Sequence, residues 1–208
     1  MKDFLQYKIL ELGKFGLMLE PKEGEMVLDA CSAPGGKTTE LAEIMNNNGK
    51  IIACDIYNHR IKLVEESAER LGIDIIETYE QDATILNERF IQKFDKILID
   101  VPCLGFGVIK RKPDIKWQRK KEDINEIAEI QFKILENCSK YLKIGGELVY
   151  STCSILKDEN ENVIQKWIKN MNVEQSRNNI RYKIENEQKI LPNKNVDGFF
   201  MCKIRRIS

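Results

Sequence analysis

The sequence predicts an α/β fold, in which a mostly parallel seven-stranded sheet carries an antiparallel pair of strands at one edge. Short apolar runs alternate with longer amphipathic segments from residue 26 onward, which is typical of parallel strands covered by helices. Hydrophobic residues make up 42% of the 208 residues, which is enough for one hydrophobic core. That length also suits one compact domain rather than two.

Seven apolar runs predict the strands of this sheet. The five that are expected to be parallel lie at Met26–Ala30, Lys50–Asp55, Ile73–Tyr79, Asp95–Asp100 and Glu147–Thr152. Two later runs, Lys189–Leu191 and Gly198–Arg205, are joined by a Pro-Asn-Lys-Asn loop. We expect these two to form the antiparallel pair at the sheet edge.

Apolar residues that recur at spacings of three and four predict the helices between the strands. These helices are expected at Lys37–Asn46, His59–Leu71 and Glu122–Leu142. The pair Gly145-Gly146 is expected to end the third helix, because glycine commonly terminates helices. A further helix is expected over residues 3–19, before the sheet begins.

Charge and cysteine content exclude several classes of protein. The chain has 33 basic and 33 acidic side chains, so it is neither a uniformly basic histone-like protein nor an acidic disordered tail. It has six cysteines, no C-x-x-C pair and a single histidine, His59, so no metal site is expected. The sequence has no signal peptide and no apolar run of membrane-spanning length. We therefore expect a cytoplasmic protein with reduced cysteines, of which Cys54, Cys138 and Cys202 are core residues.

The segment 27–38 combines a strand, a glycine-containing turn and a helix start, which is where open parallel sheets bind ligands. A dinucleotide site needs G-x-G-x-x-G, and only Gly35-Gly36 is present. A P-loop needs G-x-x-x-x-G-K-[ST]; Gly36-Lys37-Thr38 fits its end, but position 31 is cysteine and Pro34 lies inside the loop. The third candidate ligand is S-adenosylmethionine, whose carboxylate would meet the N–H groups of the loop.

Two aspartates follow later strands at the same rim of the sheet. Asp55 ends the second strand, where a carboxylate can accept hydrogen bonds from both ribose hydroxyls of a nucleoside cofactor. Asp82 follows the third strand and could accept from an adenine amino group. The alternative for each aspartate is a role as a helix cap or turn residue.

Two cysteines also follow strands at this rim: Cys103 in Asp-Val-Pro-Cys and Cys153 in Ser-Thr-Cys-Ser. A pyrimidine C5 becomes nucleophilic only after a thiolate adds to C6, a covalent step to which cysteine is suited. Once C5 carries a methyl group, a base must remove its proton so that the thiolate can leave. Two cysteines beside Asp100 satisfy these chemical demands.

Four motifs together resemble the RNA cytosine-5 methyltransferases, and in particular bacterial enzymes that act on small-subunit ribosomal RNA. The motifs are DACSAPGGKT, the DVPC loop that continues as GVIKRKPDIKW, STCS, and DGFFMCKIRR. The resemblance implies a Rossmann-like S-adenosylmethionine-dependent methyltransferase fold without a metal. It implies that Cys153 attacks C6, that Cys103 is needed for product release, and that Asp100 hydrogen-bonds the cytosine at N3 and its amino group. The implied S-adenosylmethionine site comprises Cys31, Ser32, Ala33, Pro34, Gly35, Gly36, Lys37, Asp55, Asp82 and Asp100.

Some alternatives stay open at this point. DNA cytosine-5 enzymes attack with the cysteine of a Pro-Cys motif, so Cys103 is a second candidate nucleophile. The bulky Leu104 and Phe106 stand where the family has small residues, which affects the expected shape of the cytosine pocket. An RNA-binding module without turnover and a P-loop-like nucleotidase are the competing functions.

A basic segment follows Cys103 and predicts the RNA surface. Residues 110–121 hold seven basic side chains, one acidic side chain and Trp117, a net charge of +6. Basic side chains bind phosphates and an aromatic ring stacks on an unpaired base, although such a run can also be merely solvated. The candidate RNA-binding residues are Lys110, Arg111, Lys112, Lys116, Trp117 and Arg119, and Lys203, Arg205 and Arg206 are expected to extend the strip.

The expected organisation is a helical lead-in over residues 1–20, left from a missing RNA-binding extension, followed by a methyltransferase domain over 21–208. The expected partner is RNA, namely ribosomal RNA with an unpaired or flipped cytosine, because C5 and C6 must reach both the thiol and the methyl group. No membrane partner is expected, and the protein is expected to be a monomer.

Overall fold

One sheet of seven strands organises the computed structural model, which describes residues 15–178, 180–194 and 196–208. The strands are β1 (Met26–Asp29), β2 (Lys50–Asp55), β3 (Ile76–Glu80), β4 (Phe94–Asp100), β5 (Leu142–Thr152), β6 (Tyr182–Ile190) and β7 (Phe199–Arg206). Their spatial order is β3-β2-β1-β4-β5-β7-β6. The first five strands pair in parallel, whereas β7 is antiparallel to both β5 and β6. The predicted α/β class, the seven strands and the antiparallel edge pair are confirmed.

The strand order sets the position of the crevice in which such sheets bind ligands. From β1 the chain moves outward to β2 and β3, then returns to the other side of β1 to form β4. The crevice of an open α/β sheet lies at this point of reversal, outside the carboxyl ends of the strands. The loops after β1 and β4 therefore flank it.

Five helices are described: α1 (Gly36–Ile44), α2 (Asn58–Leu71), the short α3 (Ile115–Gln118), α4 (Lys121–Tyr141) and α5 (Glu161–Asn178). The predicted counterparts of α1, α2 and α4 are confirmed to within one or two residues at each end. Of the helix predicted over 3–19, residues 15–19 are helical and residues 3–14 lie outside the described residues.

Three predicted boundaries are wrong. The helix α4 ends at Tyr141 and β5 begins at once, so that Gly145 and Gly146 lie within the strand and do not end the helix. A Cβ at Gly146 would stand 2.9 Å from the backbone oxygen of Asp95, so glycine permits close approach to β4 there. The strand β3 begins at Ile76 rather than Ile73, and β6 is much longer than the predicted Lys189–Leu191. The helix α5 was not predicted.

The alternation of side chains along the central strands divides the core between the two faces of the sheet. One face buries Ile97 and Leu148 with residues of α4 and α5. The other face buries Leu98 and Val149 with residues of α1 and Phe15. Cys54, Cys138 and Cys202 are at most 1% exposed in the first of these clusters, which confirms their prediction as core residues. No helix in the described ranges is long and apolar enough to cross a membrane.

The two tryptophans of the chain provide a matched test of this packing. Trp167 of α5 is 0% exposed and its ring lies 5.1 Å from that of Tyr182, whereas Trp117 is 88% exposed. We expect Trp167→Ala to lower the free energy of unfolding by about 3–5 kcal/mol, because it leaves a cavity in the core. Trp117→Ala is expected to change it by less than about 0.5 kcal/mol. Urea unfolding measures both values, and equal effects of the two substitutions would contradict the packing described.

Candidate active site

The loop between β1 and α1 is hydrogen-bonded to β2 and packs against α2. The backbone N–H of Ser32 donates to the Cys54 carbonyl at 2.8 Å, and the Ser32 hydroxyl donates to the same oxygen at 3.0 Å. Gly35 precedes α1 with a φ of 104°, and a Cβ there would lie 3.0 Å from Val64 Cα. Only glycine meets both conditions at low cost. The first turn of α1 then presents N–H groups without intrahelical acceptors to the crevice.

Asp55 lies beside this loop, as predicted from the sequence. Its side chain is 4% exposed and accepts hydrogen bonds of 3.3 Å from the backbone N–H groups of Ala33 and Tyr57. The Arg60 guanidinium lies 3.2 Å from the Asp55 carboxylate and also donates to the Ala33 carbonyl. A buried carboxylate is thereby held at the carboxyl end of β2, next to the first turn of α1.

Asp82 lies in a turn after β3 and is half-buried. One carboxylate oxygen accepts from the Thr84 N–H at 2.8 Å and from the Thr84 hydroxyl at 2.7 Å. This is the turn role considered as an alternative from the sequence. The expected contact with adenine stays a prediction.

A lysine, an aspartate and a serine connect three elements of the crevice. Lys37 Nζ lies 2.6 Å from Asp100 Oδ2, and the Ser151 hydroxyl donates to Asp100 Oδ1 at 2.7 Å. Burial acts to lower the pKa of Lys37, but the charge of Asp100 and its hydrogen bond outweigh this effect and raise the pKa above its ordinary value. The ammonium group of Lys37 is therefore a stable positive charge at this site.

The aspartate at the end of β1 disfavours the P-loop alternative. Asp29 is 1% exposed, and burial raises its pKa to about 7. The fully buried Thr38 hydroxyl donates to Asp29 Oδ2 at 2.7 Å. In a P-loop the equivalent hydroxyl must reach a magnesium ion, and here it is directed into the protein. No group of three or more His, Cys, Asp or Glu side chains in the described residues is arranged to hold a metal ion.

The two candidate catalytic cysteines are in contact. Cys103 Sγ and Cys153 Sγ lie 2.7 Å apart, and both side chains are half-buried free thiols. Either thiol can donate in this contact. The hydrogen bond with Cys103, together with the charge of the Lys37 ammonium, lowers the pKa of Cys153 despite burial. The hydrogen bond to Cys153, together with burial, raises the pKa of Cys103. Of the two sulfurs, Cys153 is thus the one favoured as a thiolate.

A cavity of about 200 Å³ opens beside these groups. Lys37, Asp100 and Cys153 line it on the side of the sheet. Leu104 and Phe106, although bulky, are not among its described lining residues, and Leu104 is 4% exposed in the interior. Their size therefore leaves this cavity open.

Two glycines allow the loops around the cavity to meet. The Gly107 N–H donates to the Cys153 carbonyl, and the Gly198 N–H donates to the Gly107 carbonyl, both at 2.9 Å. A Cβ on Gly107 would overlap the carbonyl oxygen of Gly198. The loop after Cys103 therefore packs between the Cys153 loop and the residues just before β7.

The predicted RNA-binding residues lie on this same loop and on α3. Arg111 lines the cavity and forms an ion pair with Asp197, and Lys110 Nζ donates to the Lys194 carbonyl at 2.5 Å. Ile115 anchors α3 in the interior at 7% exposure. The other candidates are exposed to solvent, namely Lys112, Lys116, Trp117 and Arg119.

The expected extension of this strip along β7 is wrong. Arg205 stands opposite Glu147, at the end of β5 remote from Cys153, and forms an ion pair with it. Lys203 pairs with Glu147 at 3.0 Å, and Arg206 is 3% exposed and donates to the Leu142 carbonyl. These cations stabilise the sheet and do not extend the strip.

Three polar residues of the site were not predicted from the sequence, namely Glu159, Asn160 and Gln131. All three side chains are 0% exposed, and their polar groups contact the residues that flank the two cysteines. Acidic and amide side chains in a polar stretch such as Lys-Asp-Glu-Asn-Glu give no indication of burial by themselves. Glu159 and Asn160 follow Cys153 by six and seven residues, a separation that gives no signal either.

Comparison with protein families gives one match over nearly the whole chain: the family described as 16S rRNA methyltransferase RsmB/F, at residues 16–205. Among individual proteins, the chain is 42% identical over 199 residues to the probable ribosomal RNA small subunit methyltransferase B of Bacillus subtilis. It is 44% identical over 151 residues to ribosomal RNA small subunit methyltransferase B of Shewanella oneidensis. These alignments cover 90% and 73% of this chain, but only 44% and 35% of the relatives. The chain thus spans less than half the length of these two relatives.

Solved structures agree with this similarity. NSun6 from Pyrococcus horikoshii with SFG has a TM-score of 0.81 and 33% identity, covering 93% of this chain and 50% of that one. PH0851 has a TM-score of 0.85 and 34% identity, covering 93% of this chain and 45% of that one. An S-adenosylmethionine-dependent O-methyltransferase from Thermotoga maritima, at 16% identity and a TM-score of 0.57, shares the fold alone over 93% of this chain and 64% of its own. The predicted methyltransferase fold is confirmed.

The contact between the thiols predicts a pH-dependent reactivity. The lowered pKa of Cys153 means that iodoacetamide should alkylate it with a midpoint at a pH below that of an ordinary thiol. Cys103→Ala removes the hydrogen bond, so the midpoint should rise. Peptide mass spectrometry across the alkaline pH range measures alkylation of Cys153 separately from the other cysteines. Cys202→Ala, which removes a thiol from the core, should leave the midpoint unchanged; an unchanged or lower midpoint in Cys103→Ala would refute the hydrogen bond.

Proposed function

Because the chain belongs to the RsmB/F family of 16S rRNA methyltransferases, we propose that it transfers a methyl group from S-adenosylmethionine to C5 of a cytosine in ribosomal RNA. The observation that carries this proposal is the contact of Cys103 with Cys153 beside the Lys37–Asp100 ion pair. Methylation at an oxygen or an exocyclic amine needs no thiol, since those atoms already carry a lone pair. Methylation at C5 needs a thiol as nucleophile.

The residues around the first loop fit S-adenosylmethionine. N–H groups in the first turn of α1 suit its carboxylate, and Asp55 suits the ribose hydroxyls. Residues 31–37 would enclose the amino-acid part, with Asp82 towards the adenine and Asp100 between cofactor and cytosine. When bound, S-adenosylmethionine supplies a methyl group on a positively charged sulfur. The buried carboxylates in this crevice suit a cation better than they suit a polyphosphate, which supports S-adenosylmethionine over a nucleotide.

The residues of this chain would perform the covalent steps as follows. The Cys153 thiolate forms a bond to C6 of the cytosine, and the displaced electron pair makes C5 nucleophilic. Asp100 accepts hydrogen bonds from the amino group and from N3 once N3 has taken up a proton. After C5 has gained the methyl group, the Cys103 thiolate takes the C5 proton and the C5–C6 double bond forms again. The bond from C6 to sulfur then breaks, and Cys153 leaves as a thiolate.

The two cysteines have different roles in this proposal. The lowered pKa of Cys153 favours it as nucleophile, because the thiolate is the reactive form. Cys103 holds its proton more strongly while Cys153 is a thiolate. Once Cys153 is bonded to C6 it no longer carries that charge, so Cys103, whose sulfur lies 2.7 Å away, can lose its proton and serve the release step as the base that takes the C5 proton. The opposite assignment, in which Cys103 attacks, gives a different pattern of covalent adducts.

The adducts provide the decisive test. Cys103→Ala should accumulate a protein–RNA adduct that resists denaturation, because attack proceeds and release fails. Cys153→Ala should form no adduct and no product. Incubation with labelled S-adenosylmethionine and small-subunit ribosomal RNA, followed by denaturing electrophoresis and digestion to nucleosides, measures both.

The label should appear in 5-methylcytidine with the unaltered protein. Label in a methylated adenine would exclude the proposal, and an adduct in Cys153→Ala but not in Cys103→Ala would make Cys103 the nucleophile. Binding of the RNA without cofactor binding or label would support the module without turnover.

The basic loop and α3 are the proposed RNA surface. The exposed cations at 112, 116 and 119 surround the exposed Trp117, and Arg111 connects them to the cavity that holds Cys153. Phosphate contacts would orient the strand and Trp117 would stack on a base. The target cytosine must be unpaired or flipped to enter the cavity.

Two substitutions separate these contributions. Lys116→Ala should weaken binding of a small-subunit ribosomal RNA transcript and reduce the slope of log K against log salt by about one. Trp117→Ala should cost about 1–3 kcal/mol of binding free energy with little change of that slope. Filter binding at several salt concentrations measures both, with Lys22→Ala as control because Lys22 precedes β1 at the opposite end of the sheet. An equal loss in Lys22→Ala would show that the surface is not specific.

A further inference from the structure

A buried glutamate contacts both the loop that carries Cys103 and the loop that carries Cys153. Glu159 ends the 3-10 turn Lys157–Glu159 after β5 and is 0% exposed. Its Oε2 accepts from the Leu104 N–H at 2.8 Å and from Gln131 Nε2 at 3.1 Å, and its Oε1 accepts from the Ser154 hydroxyl at 2.5 Å. Leu104 follows Cys103 in the chain and Ser154 follows Cys153. One carboxylate therefore contacts both loops.

Gln131 and Asn160, which adjoin Glu159, form hydrogen bonds with further residues that flank the two cysteines. Gln131 Nε2 also donates to the Pro102 carbonyl at 2.9 Å, so Cys103 is held through the residue before it and the residue after it. Asn160 accepts from the Thr152 hydroxyl at 2.5 Å and donates to the Ser154 carbonyl at 2.9 Å, which holds both neighbours of Cys153. Glu159 itself is anchored to β5, because the Tyr150 hydroxyl donates to its carbonyl at 2.6 Å.

We propose that Glu159 is a positioning residue, which holds the Cys103 loop against the Cys153 loop and so sets the separation of the two sulfur atoms. The assignment of a step to each thiol rests on the proposed function, but the positioning itself does not. A buried carboxylate is costly unless hydrogen bonds satisfy it, and the donors here are a backbone N–H, an amide and a hydroxyl rather than a cation. That cost is consistent with a role in geometry, because an apolar side chain would fill the space at lower cost but would hold neither loop.

The charge of Glu159 gives a second consequence. It acts to raise the pKa of both cysteines, so the carboxylate opposes the thiolate that the site needs. A glutamine at 159 would keep an acceptor for Leu104 and Gln131 and could donate to the Ser154 oxygen, so it would keep the geometry while removing the charge. An alanine would remove the attachment and the charge together. Glutamine and alanine therefore separate positioning from electrostatics.

The rate of disulfide formation between Cys103 and Cys153 measures the separation of the sulfurs without RNA. The thiol oxidant diamide takes two electrons and two protons from the thiols, becomes the hydrazine and leaves one S–S bond. Two thiols held in contact should react far faster than thiols on loops that move apart. Peptide mass spectrometry after trapping with iodoacetamide quantifies the Cys103–Cys153 disulfide.

We expect Glu159→Ala to slow this reaction by about tenfold or more, and Glu159→Gln to restore most of the rate. Gln131→Met, which preserves volume in the core, should also slow it and decides the matter if Glu159→Ala fails to fold. Asp158→Ala, an exposed acidic residue of the same turn, is the matched control and should match the unaltered protein. Rates equal to that of the unaltered protein in folded Glu159→Ala and Gln131→Met would overturn the proposal, as would a loss in Glu159→Gln equal to that in Glu159→Ala.

Alkylation of Cys153 provides a readout that loss of stability would not imitate. Its pH midpoint should fall in Glu159→Gln, because a negative charge is removed while the Cys103 hydrogen bond is kept. In Glu159→Ala it should rise, because loss of that hydrogen bond outweighs removal of the Glu159 charge. Midpoints that move in the same direction would exclude a positioning role.

Incubation with RNA and S-adenosylmethionine then connects position with function. Glu159→Ala should accumulate the covalent adduct in the manner of Cys103→Ala, since a displaced Cys103 cannot serve release. If the unaltered protein methylates no RNA, the proposed function fails, while the disulfide rates still decide whether Glu159 positions the thiols.

Discussion

The parallel pairing of β4 with β5 is the constraint on which the site depends. Their register sets Asp100, the last residue of β4, opposite Ser151, the last but one of β5. Cys103 lies three residues beyond Asp100 and Cys153 two residues beyond Ser151, so the register brings both thiols to the same rim of the sheet. A shift of one residue in this pairing would turn the side chain at 100 or 151 to the other face of the sheet. The apolar side chains that fill both faces of β4 and β5 therefore also preserve the catalytic geometry.

The electrostatics of the crevice depend on a single lysine surrounded by groups that carry or can carry negative charge. Lys37 contacts Asp100, and its charge acts to lower the pKa values of Asp29 and Cys153. Burial works against ionisation of Asp29 and Cys153, and it raises the pKa of Asp29 to about 7. At Cys153 the Lys37 charge and the Cys103 thiol act against this effect of burial. The resulting lowered pKa of Cys153 is obtained without a neighbouring histidine among the described residues that act on it.

The sequence predicted those parts of the fold in which local pattern and tertiary role agree. Buried parallel strands are apolar throughout, so β2 was predicted to the residue. The helix α5 also had a signal that was overlooked, since Val163, Ile164 and Trp167 recur at helical spacing. The strand β6 had almost none, because an exposed edge strand is mostly polar. Its length depends on pairing with β7 rather than on its own residues.

The candidate site likewise contains residues that the sequence predicts and residues that it does not. The cysteines, the first loop and Asp55 could be predicted because their chemistry is visible in the residue types and their spacing. Glu159 and Gln131 could not, because polar residues become structural only when the fold buries them among donors and acceptors. Arg111 and Arg205 differ in the same way, although both are arginines in basic surroundings. Antiparallel pairing places Arg205 at the far end of β5. The Gly107 hydrogen bond holds the loop of Arg111 against the Cys153 loop. Proximity to the thiols, which only the tertiary structure determines, is what makes one of these cations a candidate for RNA recognition and the other a part of the sheet.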